Sequence, residues 1–552
     1  MPRTLGPVAL KLGDEVLVKV RANTPITDLL EQLDKAYKGA RFQDVEGFDV
    51  TAHYSEDLPE GEYAIRQPTA DAEFFQRLEQ ILPSASEVGR APEDFVHLRD
   101  QANILNHRPI NNHAAPLPLT HEAFGEFMDL FNTGVPTHSD CKFAIDLCKV
   151  ASEVWTDETT QLQTRLHDLL REYFPGFQIQ GSKSSESEPD ERVIYNDMDI
   201  GAWQLKTDAG GNTYGQIQRY YVTVVQRLQQ AQSPVLALSC VPMLYMELSG
   251  ATLRVCGAAC VGHSFLCEPL TPALHLYCVN NRAHMDTVVR CVCAIRCTLL
   301  KLAEFHTHLA VQALPAPFHR NPRAFFPYYF GKAYPEAAVE QLLSPTRLIF
   351  LVTPKDSQQR LVKFVACSKN GAEAGTQVHR AWAHAKFAPD LLHVKSLLGQ
   401  WYAVEMEYLS PGEGWFPLCI LAPVRRQTLP MQAGSQPEPL TASAWQRASA
   451  SAVEALKHVH QHATVLLDGR RHLSVHGDVR LPNIIGHVGE GREVDRVVFV
   501  DFDWAGLERV TRYPALMNPD IAWPRGAQPF TCLLQAHDKE LLDSELLKGS
   551  AL

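Results

Sequence analysis

The chain has 552 residues, enough for two to four domains that each bury a core. With 45% hydrophobic and 21% charged residues it belongs with folded proteins, not with disordered or fibrous ones. A net charge of -12 excludes a global electrostatic pull toward nucleic acid or anionic membrane, so any such contact has to come from a local patch.

The N-terminal run MPRTLGPVALKLGDEVLVKV lacks the small-residue cleavage site of an ordinary secretory signal. Nowhere does an apolar stretch approach the roughly 18 residues of a spanning helix. A soluble chain with no membrane partner is expected. Residues 1–68 predict a small α+β domain. VALKL and EVLVKV alternate around the Gly13-Asp14 turn. Thr24 and Pro25 suit an N-cap and first helical position ahead of Ile26, Leu29, Leu30 and Leu33. FDVTAHY and EYAIRQ follow as strand candidates. Hairpin, helix and further strands form the order of a ubiquitin-like beta-grasp, with a plainer α+β domain as the alternative. Either would offer a surface to a protein partner.

Residues 69–115 mix charge, Pro and Asn and predict a linker. A second domain is expected over 116–312. It has an amphipathic helix in TTQLQTRLHDLLREYF, strands in VIYND, GAWQL and PVLALSCV, and a late helix in VCAIRCTLLKLAEFH, with SKSSESEPDE as an exposed loop. The chain has thirteen cysteines, an odd count with no C-x-x-C pair, and eight of them lie between Cys240 and Cys297. Reduced thiols in a cytoplasmic or nuclear setting follow. Only Cys256 and Cys260 with His263 have a zinc-like spacing, against the reading as small buried hydrophobes. The Pro- and aromatic-rich residues 313–339 predict a second linker, and a third domain occupies 340–552.

The third domain carries the clearest chemistry. His476, Asp478 and Asn483 form H-G-D-x-x-x-x-N in VHGDVRLPNIIG, and Asp501 ends the apolar run VVFVDFDWAG. Phosphoryl transfer needs such a set. An aspartate accepts or orients the attacking hydroxyl, an asparagine five residues on ligates a metal, and a second aspartate at a strand end holds metal against the nucleotide phosphates. Asp478, Asn483 and Asp501 suit those roles. Lys363 in RLVKFVA suits the phosphate lysine, with a solvated edge lysine as the alternative. YAVEMEYL, which contains Glu407, suits the strand beside an adenine pocket.

These residues resemble the protein-kinase-like fold in its atypical form. The glycine of H-G-D and the D-F-D triplet are also typical of aminoglycoside and choline phosphotransferases. More specifically, LVKFV, VHRAWAHAKFAPDLL, GQWYAVEMEYL, VHGDVRLPNI, FVDFDWAG and RYPALMNPDIAWP resemble the kinase domain of Crinkler-type proteins of fungi and oomycetes. Those proteins place a ubiquitin-like header and a nuclease-like or other middle segment ahead of a kinase-like end. The resemblance implies a multidomain α+β chain whose last domain binds ATP and Mg2+ and phosphorylates a protein hydroxyl, in an effector delivered without an ordinary signal peptide. Three features depart from it. LIFLVTPKDSQQRLVKF holds no glycine-rich loop. Gln377 stands where a glutamate partner of Lys363 is expected, with Glu373 as a possible substitute. Only 51 residues follow Asp501, too few for the usual helical lobe.

The middle domain holds a second constellation. Pro189-Asp190 is followed by VIYND, then Gln204-Leu205-Lys206, then Gln216 and Tyr220. This order resembles the PD-(D/E)xK nuclease core of restriction-endonuclease-like folds. There an aspartate and a following acid or glutamine bind a divalent ion, and a lysine on the same strand face activates water. Residues two apart on a strand share a face, so Gln204 and Lys206 can both meet Asp190. Glu172 is a candidate for a further acid. The alternatives to the kinase-like enzyme are therefore DNA cleavage by the middle domain, a scaffold derived from it, and a pseudokinase acting through protein contacts.

Overall fold

The computed structural model describes residues 74–550 apart from 75–76, 79, 109–111, 113–114, 182–187, 208–211, 232, 278, 311–326, 343–347, 356–357, 367–371, 425–436 and 490. Upstream it describes the backbone of short strands between Leu10 and Arg66. The chain is multidomain α+β and divides into two compact units. One comprises Met1–Asn112 with Gly134–Phe326, the other His113–Thr133 with Pro327–Leu552.

In the first unit, Leu10–Leu12 and Glu15–Val20 pair as the expected antiparallel hairpin. Gly61–Arg66 adds to Glu15–Val20, and Arg41–Gln43 to Gly61–Arg66, both antiparallel. The helix expected from Thr24 through Leu33 falls largely on residues 26–40, outside the described residues. Thr24–Pro25 itself pairs as a strand with Asp57–Leu58.

The rest of this unit is built on an eight-stranded sheet. Met198–Lys206 runs parallel to Met243–Ser249 and antiparallel to Glu191–Tyr195, with Gln178–Gly181 beyond. Between the parallel pair, Thr213–Gln230 forms the crossover helix, its N-terminus capped by the Asn212 side chain. Tyr214, Ile217, Tyr221 and Val225 recur on its buried face and pack with Ala202, Met243, Tyr245 and Cys256. Cys256 and Cys260 are part of that apolar core, and the His263 ring packs at a tilt against Phe74. No disulfide joins the described cysteines.

Two segments differ from expectation. PVLALSCV holds a short helix, Pro234–Leu238, because Ser233 caps it and Pro234 takes its first position, an initiation signal that outweighs the apolar run. The strand follows at Met243–Ser249. The stretch expected as a linker before residue 115 contains the helices Ala85–Arg90 and Pro92–Gln101. Val88, Phe95 and Leu98 join the core beneath the crossover helix.

The second unit begins with Leu117–Thr120 and Glu122–Thr133 and resumes with helix Tyr328–Ala333. Its five-stranded antiparallel sheet runs Ala338–Leu342, Ile349–Thr353, Arg360–Ala366, Trp401–Glu407, Leu391–Leu397, with helix Ala372–His384 between the third and fifth of these. Glu122 accepts from Lys332 at 2.7 Å, and Asp129 Oδ2 accepts from Gly399 N at 3.0 Å, so the early helices pack on this sheet's helix and turn. On one sheet face, buried Glu405 accepts from Tyr329 and Tyr334, each at 2.5 Å. The remainder packs around helix Ala442–His462, whose Trp445, Ala448, Ala452, Leu456 and Val459 recur at helical spacing into one core. The residues after Asp501 form a loop closed by Tyr513 N to Thr531 O and Leu533 N to Thr511 O, both 2.9 Å. Helix Gln535–Ser550 follows and buries Leu542 and Leu546 in the same core.

No described helix is long and apolar enough to cross a membrane.

Candidate functional site

The H-G-D stretch leaves strand Arg470–Val475, and the hairpin of Ile484–Val488 with Val494–Phe499 brings its far end back beside Asp501. Ile484 pairs with Phe499, and Val500 N donates to Asn483 O at 2.9 Å. Asn483 Nδ2 donates to Asp478 Oδ2 and to Asp478 O, both at 2.9 Å. Arg480 grips the same carboxylate with two guanidinium donors, one of them at 2.6 Å from Oδ2.

His476 is fully buried. Its Nε2 donates to Val500 O at 3.0 Å and its Nδ1 accepts from Asp478 N at 3.3 Å. Both nitrogens are thus engaged by backbone, and through them His476 ties its loop to the strand end at Val500. Gly477 has φ +81°, and a Cβ there would lie 2.9 Å from Trp504 O. Left-handed backbone and close approach together explain why a glycine precedes the aspartate.

Asp538 holds the loop from the other side. It is buried, and its carboxylate accepts from His476 N and Gly477 N, each at 2.8 Å, and meets His460 Nε2 at 3.1 Å.

Lys363 pairs with Ile349 on one side and Val404 on the other, in the middle of its sheet. Its Nζ donates to Asp501 Oδ1 at 2.5 Å and to Asp503 Oδ1 at 2.6 Å. Burial alone would lower its pKa, but the two carboxylates raise it above the ordinary lysine value. Asp501 has φ +69°, unusual for a non-glycine residue and often retained where it aims a functional group.

Helix Ala372–His384 rides over this turn. His379 stacks on Phe502 with centroids 4.5 Å apart, and a Cβ on Gly375 would lie 2.5 Å from Phe502 O. Burial brings the His379 pKa down to about 4. Gln377 is not among the partners of Lys363, and the Glu373 side chain lies outside the described residues. Glu407, expected beside the adenine, ends its strand and accepts from Asp390 N at 3.1 Å.

The donor set suits magnesium. Asp501 offers carboxylate oxygens, and Asn483, with its NH2 on Asp478, has its carbonyl oxygen left for a cation. Magnesium commonly binds one or two carboxylates and completes its shell with water and phosphate oxygens. Among the described residues no three His, Cys, Asp or Glu side chains form a ready metal cage.

In the first unit the structure brings Asp190, Gln204 and Lys206 together. Asp190 Oδ2 accepts from Gln204 Nε2 and Leu205 N, both at 2.6 Å. Lys206 donates to Glu158 Oε1 at 2.6 Å. Burial pushes the Asp190 carboxyl up to about 6, against the lowering effect of the Leu205 N–H. The extra acid is Glu158, from the π-helical turn Glu158–Gln163. Glu172 points elsewhere, to exposed Lys142. Tyr220 also lies outside the cluster and donates to Asp199 at 2.9 Å, and Gln216 packs against Gly89.

Sequence reasoning missed Arg480, Asp503, Asp538 and Glu158 as members of these sites. Asp503 stood in the D-F-D triplet and Arg480 two places after Asp478. Asp538 had no such signal, being 62 residues from His476.

Neither a protein-family model nor a curated protein matches the chain. Among solved structures, the Cydia pomonella Granulovirus kinase PK-1 is similar over 41% of this chain and 72% of its own, at 12% identity and a TM-score of 0.28. A likeness at that score carries no argument about activity.

Proposed function

We propose that the second unit is an ATP- and Mg2+-dependent phosphotransferase of serine/threonine protein-kinase type, in a Crinkler-like effector architecture. The observation that carries this reading is the meeting of Lys363, Asp478, Asn483 and Asp501 at one place from three separate stretches of chain. Magnesium, when bound, would neutralise charge on the phosphates. Lys363 would orient them, Asp501 and Asn483 would supply oxygen ligands, and Asp478 would accept the proton of the attacking hydroxyl. Arg480 keeps the Asp478 carboxylate oriented. Transfer of the terminal phosphate from labelled ATP to the protein itself or to a generic basic substrate tests the reading. Lys363→Ala should lower that transfer on the order of 10²-fold, as loss of one charge-stabilising donor does. Transfer at the parental rate would remove Lys363 from the site.

A second reading is favoured by the cluster in the first unit. Asp190, Gln204, Lys206 and Glu158 join a buried carboxylate, a lysine and a second acid at one strand end, which suits metal-assisted cleavage of DNA. Nicking of supercoiled plasmid with Mg2+ or Mn2+ should then disappear in Asp190→Ala and in Lys206→Ala while the far-ultraviolet dichroism is retained. Nicking that survives both changes would place it elsewhere.

A further inference from the structure

We propose that Asp503 is the positioning carboxylate of Lys363, taking on the Asp-Phe-Asp turn the role that protein kinases give to a glutamate on the neighbouring helix. The inference rests on the phosphotransferase reading and adds the group that orients its lysine. In kinases a strand lysine must be held by a helix glutamate before it can orient phosphates.

Here the helix cannot supply that group where it approaches the turn most closely. Gly375 lies one turn before His379 on the face that meets Phe502, and a Cβ at Gly375 would sit 2.5 Å from Phe502 O. A glutamate there would strike backbone. Gln377 is neutral and is not a partner of Lys363 among the described residues. Asp503, two residues after Asp501, reaches the ammonium at 2.6 Å. The Asp503 side chain is 41% exposed, against 15% for Lys363, so the aspartate stands at the rim and the lysine within.

The metal-side carboxylate and the lysine-side carboxylate thus belong to one three-residue turn. A helix that swings can break a lysine–glutamate pair and switch a site off. A turn that holds both acids needs no helix glutamate to orient the lysine. Lys363 is set by residues 501–503.

The test reads Lys363 directly and needs no nucleotide. Labelling of Lys363 by a small amine-reactive ester, followed by peptide mass spectrometry across pH, reports how firmly the ammonium is held. Asp503→Asn should raise the labelling rate at fixed pH on the order of tenfold, because one opposing charge within 4 Å typically moves a pKa by about a unit or more. Asp503→Glu should restore the parental rate, and Gln377→Ala should leave it as it was. Parental labelling in Asp503→Asn, or a tenfold rise in Gln377→Ala, overturns the proposal. So does a loss of Mg2+ affinity in Asp503→Asn with labelling unchanged, which would make Asp503 a metal ligand. A parallel ATP–Mg2+ titration separates the two claims: if the parent binds no nucleotide, the phosphotransferase reading fails while the labelling still decides what holds Lys363.

Discussion

Asp501→Ala should abolish the magnesium-dependent part of stabilisation by ATP, whereas Asp478→Ala should bind ATP–Mg2+ and lose turnover by about 10²–10⁴-fold, the usual worth of a general base. The two carboxylates differ in company. Asp501 lies at the strand end against Lys363, the lysine proposed to orient the phosphates. Asp478 is tied to Asn483 and Arg480. Ligand at 100 times its dissociation constant stabilises the folded state by about 2.7 kcal/mol, or roughly 5–11 °C in a unit of this size. Thermal unfolding with ATP, with and without Mg2+, resolves such a shift. Because Asp501→Ala also takes one carboxylate from Lys363, the diagnostic quantity is the difference that Mg2+ makes. Asp478→Asn controls for the unpaired Arg480 left by alanine, since an amide oxygen still accepts from it. Equal Mg2+-dependent shifts in the parent and in Asp501→Ala would show that Asp501 holds no metal.

Asp538→Ala should be among the most destabilising single changes in the second unit. Its carboxylate is the acceptor for two buried backbone N–H groups, those of His476 and Gly477, and it also meets His460. Leaving a buried donor unpaired costs about 1–3 kcal/mol. Two of them cost about 2–6 kcal/mol, a large share of the 5–15 kcal/mol that keeps a domain folded. Urea unfolding followed by tryptophan fluorescence should show the loss, and amide exchange at His476 and Gly477 should quicken more than at strand Val494–Phe499. Asp538→Asn retains one acceptor oxygen and should fall between. A loss under about 0.5 kcal/mol in the alanine variant would mean that water or another group satisfies the loop.

The parts of this site that sequence made legible are those whose spacing is set by one local structure. Asp478 and Asn483 share one loop, and Asp501 follows the hairpin that the loop opens, so their roles can be inferred from intervals. The same holds for Gln204 and Lys206, two apart on one strand. What escaped was set by packing between distant segments. Asp538 comes from the last helix, and Glu158 from a helical turn upstream of its lysine's strand. Gln377 drew attention because it stood at a helix position, yet the helix turns Gly375 and His379 toward Phe502. Only the rotational setting of that helix decides which residue faces the lysine, and no interval in the chain records it. PVLALSCV shows the converse. Its apolar content suggests a strand, but a serine and a proline at its start favour helix whatever follows.

The alternation of chain segments between the two compact units has a consequence for synthesis. Leu117–Thr120 and Glu122–Thr133 belong with a sheet whose first strand begins at Ala338, and residues 134–326 of the other unit lie between. At about 5–20 residues per second, these helices leave the ribosome roughly 10–50 s before their sheet does. Phe124 and Phe127, fully buried in the finished protein, spend that interval without their native partners. During that wait the nascent chain is an apolar client for chaperones, and a pause in translation within residues 134–326 prolongs it.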